Sequence, residues 1–171
     1  MSRSAIAVAN LMIDISNKKA IKDLTPMKLQ KLLYYTQGWC LGVDGNEAFH
    51  EQIEAWRYGP VVQSIYDSTK EYGNGPITQL LVSQDEKAFG VGVPEVLDGD
   101  EMSELKPVLK WILEQYGSLS GIQLSNMTHA EGGPWAIIME KYEGDPLRNT
   151  DIPIEIIKKH FQGEFAKILD G

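Results

Sequence analysis

The segment LTPMKLQKLLYYTQGWCLG, residues 24–42, limits what this chain can fold into more than any other stretch. Thr25 is a suitable helix cap, Pro26 fits the first helical position, and Gly42 stands where a helix often ends in a left-handed residue. The predicted apolar face carries Leu29, Leu32, Leu33, Thr36 and Cys40, and it is widened by Tyr35 and Trp39. A face of this width is typical of a central, largely buried helix.

Five further helices are predicted from apolar spacing and capping residues. The first spans residues 4–17, with Ser2 or Ser4 as its cap. The second runs from Val62 to near Gly73, and the third starts at Ser103 with Pro107 close to its start. The fourth is a short helix at 121–129, capped by Ser118 or Ser120 and stopped by GGPW at 132–135. The last runs from Pro153 to near Gly163 or frays through residue 169. The chain is therefore expected to be mainly α-helical.

A minor β element is predicted near residues 50–58. The stretch EQIEAWRYG, residues 51–59, alternates as a short strand does, with Trp56 and Tyr58 on one face. Gly59 and Pro60 are then read as a turn into the next helix. Residues 73–104 form an irregular, acidic segment in which a short hairpin is expected at 88–93. We predict a single compact domain spanning residues 1–171.

Charge and cysteine content disfavour some classes of protein and exclude others. The formal net charge of −8 disfavours nucleic acid binding, which needs clustered Lys and Arg, and it suits a basic protein partner or serves solubility. The single cysteine excludes an intramolecular disulfide framework. The apolar run at the N-terminus is too short for a signal sequence, and no apolar window of about 18 residues exists, so a cytoplasmic location without membrane partners is expected.

Catalytic motifs are weak throughout the sequence. Cys40, in the middle of a helix, is interpreted as a buried inert thiol. His50, His129 and His160 are far apart, and His129 with Glu131 could ligate a metal only if a distant residue completed the site. We therefore predict no enzyme, no catalytic residue, no cofactor and no metal.

The crowded stretch EAWRYGPVV, residues 54–62, has two interpretations from its residue types alone. Trp56 and Tyr58 on a strand face are typical of core packing. Arg57 and Tyr58 also belong to the types that are enriched in interface hot spots. Sequence physics leaves both interpretations open.

Three separated stretches resemble a known family. In order and spacing, LTPMKLQKLLYYTQGW (24–39), EAWRYGPVVQSIY (54–66) and LSNMTHAEGGPW (124–135) are similar to the signature of the Panacea domain of SocA-type antitoxins, which phage-associated proteins also carry. The resemblance implies a helical antitoxin that neutralises a co-encoded toxin, generally by binding the toxin protein. It implies no catalytic residues.

Particular residues of these stretches are candidates for two roles. The candidate partner-binding residues are Arg57, Tyr58, His129 and Glu131, with a scaffold role as the alternative for them. The expected scaffold residues are Thr25, Pro26, Leu29, Trp56, Gly59, Pro60, Thr128 and Trp135. One departure from the signature is EGGPW, whose spacing before Pro-Trp differs by about a residue from the family pattern.

Four functions are weighed. The first is an antitoxin that binds a cognate toxin encoded beside it, with the acidic 73–104 segment and exposed helix faces choosing the partner. The alternative is an adaptor that delivers a bound toxin to a cytoplasmic protease. An enzyme would need a polar pocket built from Arg57, Tyr58, His129 and Glu131. A DNA-binding repressor is disfavoured by the acidity and by the lack of a basic recognition helix.

Overall fold

A computed structural model describes residues 3–83, 92–144 and 150–171 of the chain. Within these ranges, the chain forms seven α-helices and one antiparallel hairpin of two strands, which confirms the mainly α class with a minor β element. The elements are α1 (Ala5–Lys18), α2 (Pro26–Asp44), β1 (Glu54–Trp56), β2 (Gly59–Val61), α3 (Gln63–Thr69) followed by a 3₁₀ turn (Lys70–Tyr72), α4 (Gly99–Tyr116), α5 (Gly121–Thr128), α6 (Pro134–Lys141) and α7 (Ile154–Asp170).

Helix α2 occupies the centre of the fold, as predicted. Thr25 caps it, because its Oγ1 accepts a hydrogen bond from the Lys28 amide at 3.2 Å, and Pro26 begins the first turn. Leu29 is fully buried, and α2 packs along α7 while also contacting α1, α3, α4, α5 and β2. The wide apolar face is thus covered on several sides by other helices.

The predicted end of α2 at Gly42 is wrong. The helix continues to Asp44, and Gly45, with φ of +79°, is the left-handed residue that ends it. A Cβ on Gly42 would lie 2.7 Å from Phe161 of α7. Gly42 is therefore needed for close packing of two helices, which a local reading of the sequence does not reveal.

The prediction that Gly59 and Pro60 form a turn is also wrong. Trp56 pairs with Gly59 and Ala55 pairs with Pro60, so Gly59–Val61 is the second strand and Arg57 and Tyr58 are the turn. Tyr58 consequently does not share a strand face with Trp56. Pro60 is tolerated because β2 pairs only with β1 among the described strands, and an edge strand can lack a backbone donor.

The segment before α7 extends the pairing on the other side of β1. The Ala55 amide donates to the Thr150 carbonyl at 2.8 Å, and the Ile152 amide donates to the Ile53 carbonyl at 2.8 Å. Helix α7 begins after Pro153, as predicted, and runs through Gly163 to Asp170 without a break. The pairing fixes the start of α7 against the hairpin.

Two helix boundaries in the second half differ from prediction. Helix α4 begins after Asp98, whose side chain forms a capping box with Glu101, so Ser103 is not the cap and Pro107 lies in the helix interior. Helix α5 begins after Ser120, as predicted. The prediction that GGPW stops this helix is wrong, because α5 already ends at Thr128 and Pro134 begins α6.

In the segment predicted to be irregular, 73–104, the described residues 73–83 and 92–98 are without helix or strand, as expected, but residues 99–104 belong to α4 because the capping box at Asp98 starts that helix early. The irregular parts are nevertheless attached to the core. The Asn10 side chain donates to the carbonyls of Leu81 and Glu95 and accepts from the Leu81 amide, and Leu81 and Leu97 are buried. The hairpin predicted at 88–93 lies mostly outside the described residues.

Candidate functional site

Two buried polar side chains of α2 hold the hairpin through hydrogen bonds to its second strand and to the residue after it. The Gln30 amide donates to the Val62 carbonyl at 3.1 Å and accepts from the Val62 amide at 2.9 Å. Lys31 Nζ donates to the Pro60 carbonyl at 3.1 Å and is 2% exposed. Because buried polar groups are costly unless they are hydrogen-bonded, these contacts specify where β2 can lie.

Gly59 lies where the hairpin approaches both α2 and α5 most closely. Its φ is +121°, a conformation that side chains with a Cβ rarely adopt. A Cβ at this position would lie 2.8 Å from Thr128 Oγ1 and 2.9 Å from Lys31 Cε. Both the conformation and the lack of space favour glycine, which is consistent with the scaffold role expected for this residue.

The third motif holds the hairpin from the side through backbone carbonyls. Ser125 Oγ donates to the Tyr58 carbonyl, and Thr128 Oγ1 donates to the Ser125 carbonyl at 2.6 Å. Trp135 Nε1 donates to the Trp56 carbonyl at 2.7 Å. These bonds leave the side chains of the turn free to face outward.

His129 links this network to Trp135. The two rings are stacked, with centroids 3.9 Å apart and an interplanar angle of 15°. Burial lowers the pKa of His129 below its usual 6.5, a contact with the Tyr58 backbone opposes that shift, and the charge of Lys31 adds to it. Burial therefore favours the neutral imidazole, which packs against Trp135 as an aromatic ring.

Burial also lowers the pKa of Lys31, from 10.5 to about 7. The ammonium group is the charged form, and the low dielectric of its surroundings disfavours that form. The charge of Lys31 is therefore only partly retained at neutral pH.

The turn itself, Arg57 and Tyr58, is exposed, and we call it the hairpin tip. Tyr58 is 60% exposed, which makes it the most exposed aromatic side chain of the described residues. Arg57 Cζ lies 5.5 Å from the centroid of the Tyr58 ring, within the range of a cation–π contact. An exposed aromatic and a guanidinium thus stand together on a firmly held backbone.

The structure brings together most, but not all, of the predicted site residues. Trp56, Gly59, Pro60, Thr128 and Trp135 form the network around the hairpin, with Arg57, Tyr58 and His129 at its outer side. Thr25, Pro26 and Leu29 lie at the start of α2 and serve that helix instead. Glu131 is exposed in the turn between α5 and α6.

Gln30, Lys31 and Ser125 lie within the matched stretches, but no site role is predicted for them from the sequence. The available signal was a Gln and a Lys inside a helix predicted to be mostly buried, because such side chains need specific hydrogen-bond partners.

The polar pocket that an enzyme would need is not present as a buried cleft. Arg57, Tyr58 and Glu131 are exposed, and His129 is only partly covered. Cys40 lies within α2, and burial, with a smaller effect of Asp44, raises the pKa of its thiol to about 12. The thiol is thus protonated at neutral pH and is a poor nucleophile.

The described ranges contain neither a candidate metal cluster nor a candidate membrane-spanning helix. No group of three or more His, Cys, Asp or Glu side chains in them is arranged to hold a metal ion. None of their helices is both long and apolar enough to cross a bilayer.

The sequence is similar to known proteins over the part of the chain that contains this site. The family model described as "Antitoxin SocA-like, Panacea domain" matches residues 29–136, which include the whole hairpin network. The chain is 29% identical over 166 residues to Antitoxin SocA of Caulobacter vibrioides (strain NA1000 / CB15N), covering 96% of this chain and 83% of that protein. No solved structure matches the chain significantly. The chain therefore belongs to the SocA-like antitoxin family that the Panacea domain defines.

Proposed function

We propose that this antitoxin neutralises a toxin protein by direct binding, with the hairpin tip at the centre of the contact. The observation that carries the proposal is the exposure of Tyr58, at 60%, on a turn whose flanking backbone is held by α2, α5 and α6. Tyrosine is enriched at protein interfaces because its ring is apolar and its hydroxyl can still form a hydrogen bond. Tyr and Arg are also the types most often found at interface hot spots.

Preorganisation gives the hairpin tip an advantage as a binding element. When a flexible loop and its side chains become ordered on binding, the lost entropy weakens the association. Here the carbonyls of Trp56, Tyr58 and Pro60 each accept a hydrogen bond from a side chain on a neighbouring helix. Little backbone freedom is left to lose when a partner binds.

The proposal separates two roles within the family signature. The buried residues hold the hairpin and are out of reach of a partner, whereas Arg57 and Tyr58 can touch one. The net charge of −8 would favour encounter with a basic protein. Two observations support a role in binding rather than in catalysis. The Cys40 thiol is protonated, and Arg57, Tyr58 and Glu131 are exposed instead of lining a cleft.

The proposal is tested with Tyr58→Ala, measured against the product of the neighbouring gene. We expect toxin affinity to fall about tenfold or more, as for a hot-spot residue, with an unchanged Tm. Tyr142→Ala is a matched control, because Tyr142 is 41% exposed and Lys141 Nζ lies 5.7 Å from its ring centroid. That control should bind the toxin as the natural protein does.

Other outcomes of this experiment would contradict the proposal. Full neutralisation by Tyr58→Ala would show that the hairpin tip lies outside the contact. A large drop in Tm would assign Tyr58 to the scaffold.

A separate measurement distinguishes simple blocking from the adaptor role. If the half-life of the toxin in cells shortens whenever this protein is present, the adaptor role is favoured.

A further inference from the structure

A second surface lies away from the hairpin, between the C-terminal half of α2 and the helices α4 and α7. It is an open apolar groove of about 460 Å³, which we call the α2–α4–α7 groove. Its main lining residues are Trp39, Val43, Val108, Trp111, Phe165 and Ile168. Val43 is 53% exposed and Ile168 is 57% exposed, so a substantial apolar area faces water.

One end of the groove opens onto an acidic cluster. Asp44 lines the groove, and the next residue, Gly45, lines an adjoining polar cavity of about 470 Å³. The carboxylates around that cavity belong to Glu47, Asp100, Glu101 and Glu104.

The cations near this cluster are fewer than its carboxylates. Arg3 donates to the carbonyls of Glu47 and Ala48 and to the Glu104 carboxylate, and Lys158 lies beside Gly45. Among the described residues that line these two cavities, five carboxylates face Arg3, which is already engaged, and Lys158 lies close by beside Gly45. The end of the groove has a negative potential that a cationic partner would complement.

We propose that the α2–α4–α7 groove binds an amphipathic helix of a partner protein, with its apolar face in the groove and Lys or Arg residues at the acidic end. Three helices line the groove and the described strands lie elsewhere, so a partner has no strand edge to extend here. Insertion of a helix into an apolar groove is the recognition mode that suits such a surface.

Charge and shape disfavour two other occupants. A second copy would bring together two chains that each carry a net charge of −8, which disfavours self-association. A small apolar molecule would stay exposed along the open rim formed by Val43 and Ile168, whereas typical ligand pockets enclose about 70–90% of the ligand surface.

The groove is separate from the proposed toxin contact. Lys31, beneath the hairpin, and Val43, in the groove, lie twelve positions apart on α2. At a rise of about 1.5 Å per residue, they are about 18 Å apart along the helix axis. The inference therefore does not rest on the proposed function, and either can fail without the other.

The probe is a synthetic helical peptide with leucines at i, i+4, i+7 and i+11 and three lysines after them. The four tryptophans report on the two surfaces, since Trp39 and Trp111 line the groove while Trp56 and Trp135 belong to the hairpin network. In NMR titrations of the full chain, the indole resonances of Trp39 and Trp111 should shift to saturation. Those of Trp56 and Trp135 should stay in place.

Two pairs of variants test the apolar and the charged parts separately. Ile168→Glu should weaken peptide binding about tenfold or more, whereas Leu169→Glu, at a neighbouring residue that is 69% exposed and outside the groove lining, should change it less than about twofold. Neutralising Asp44, Glu47 and Glu104 to amides should weaken binding and reduce its salt dependence. Neutralising Glu114, Glu140 and Glu155 is the matched control for charge.

Several results would overturn the inference. They are unshifted Trp39 and Trp111 resonances, equal shifts at all four tryptophans, or equal effects of Ile168→Glu and Leu169→Glu. Equal binding of a peptide with glutamates in place of the lysines would remove the role of the acidic end. A dimer in sedimentation that Ile168→Glu dissociates would identify a second copy as the occupant instead.

Discussion

Lys31 is an unusual residue for the interior of an acidic protein. It is 2% exposed, and its ammonium group donates to the Pro60 carbonyl. The lowered pKa means that the charged form is disfavoured in the folded state by several kcal/mol, on the order of 1.4 kcal/mol for each pKa unit. In return, the bond selects one position for β2 against α2. We infer that specificity of the hairpin position, rather than stability, is what Lys31 provides.

The pH dependence of folding should report this burial. Between about 7, the folded pKa of Lys31, and 10.5, its usual value, the unfolded chain binds more protons at this residue than the folded chain. The free energy of unfolding should therefore rise with pH over that window, by up to about 1.4 kcal/mol per pH unit. Urea unfolding at several values from pH 7 to 9, on the natural protein and on Lys31→Met, measures the slope.

The difference between the two proteins isolates Lys31. Burial raises the pKa values of Cys40, Tyr34 and Tyr35, and these groups contribute equally to both proteins as the pH rises. Lys31→Met should lack the Lys31 contribution to the slope. Identical slopes would mean that the ammonium group is not held in a desolvated site.

Gly59 provides a second prediction at the residue scale. Gly59→Ala should destabilise the fold by roughly 1–3 kcal/mol from backbone conformation, and by more from the overlap with Thr128 and Lys31. Gly132→Ala is the control, because Gly132 also has a positive φ, of +79°, but has open space around its Cβ position. Chemical denaturation should show a clearly larger loss for Gly59→Ala. Equal losses would mean that strain alone, without close packing, explains the glycine.

At the scale of elements, the contact between α2 and α7 organises the helices. A Cβ on Gly38 would lie 2.2 Å from the ring of Phe161, and Phe161 is 2% exposed, so its ring has little room to move. The two helices can approach this closely only because α2 carries glycine where the ring lies. This explains a feature of α2 that helix propensity alone disfavours.

The same substitution should have opposite effects at two helical glycines. Gly38→Ala should destabilise the protein by about 1–3 kcal/mol through overpacking. Gly163→Ala, in α7 with nothing near its Cβ position, should stabilise it by about 0.4–1 kcal/mol because alanine restricts the unfolded chain. Thermal unfolding of both variants measures the two signs. A stabilised Gly38→Ala would contradict the packing described for Phe161.

Element boundaries show where local signals suffice. Thr25 caps α2 as predicted, and the structure selects Ser4 and Ser120 from the two serines predicted for each of their helices. These signals suffice because a capping hydrogen bond joins residues close in sequence. The start of α4 carried an equally local signal, Asp98 with Glu101, which the sequence analysis overlooked in favour of Ser103. Helix α6 is absent from the sequence prediction because Gly-Gly-Pro favours a stop, whereas Pro134 is in fact a first helical residue.

For the whole molecule, the net charge of −8 predicts how the proposed toxin complex should form. If a basic toxin is steered by this charge, raising the salt from 50 to 500 mM should lower the association rate constant and leave the dissociation rate constant nearly unchanged. Tyr58→Ala should instead raise the dissociation rate constant, since it removes a short-range contact. Surface-binding kinetics separate the two. An association rate that does not depend on salt would limit the acidity to a role in solubility.

Sequence alone determined the features that depend on neighbouring residues and on pattern. These are the mainly helical class, the burial of α2, several helix caps and, through three ordered motifs, membership of the antitoxin family. The motifs also placed Arg57, Tyr58 and His129 among the candidates that the structure finds around one hairpin.

Only the tertiary structure decided which residues form the turn and which lie beneath it. Gly59 extends as a strand because Lys31 and Thr128 lie against it, and Gly42 continues a helix because Phe161 packs on it. Each of these outcomes depends on a contact between residues far apart in the chain, and the free energy of such contacts outweighs local turn and helix-ending preferences. The exposure of Tyr58 follows from the same contacts, because they turn its side chain outward while holding its backbone.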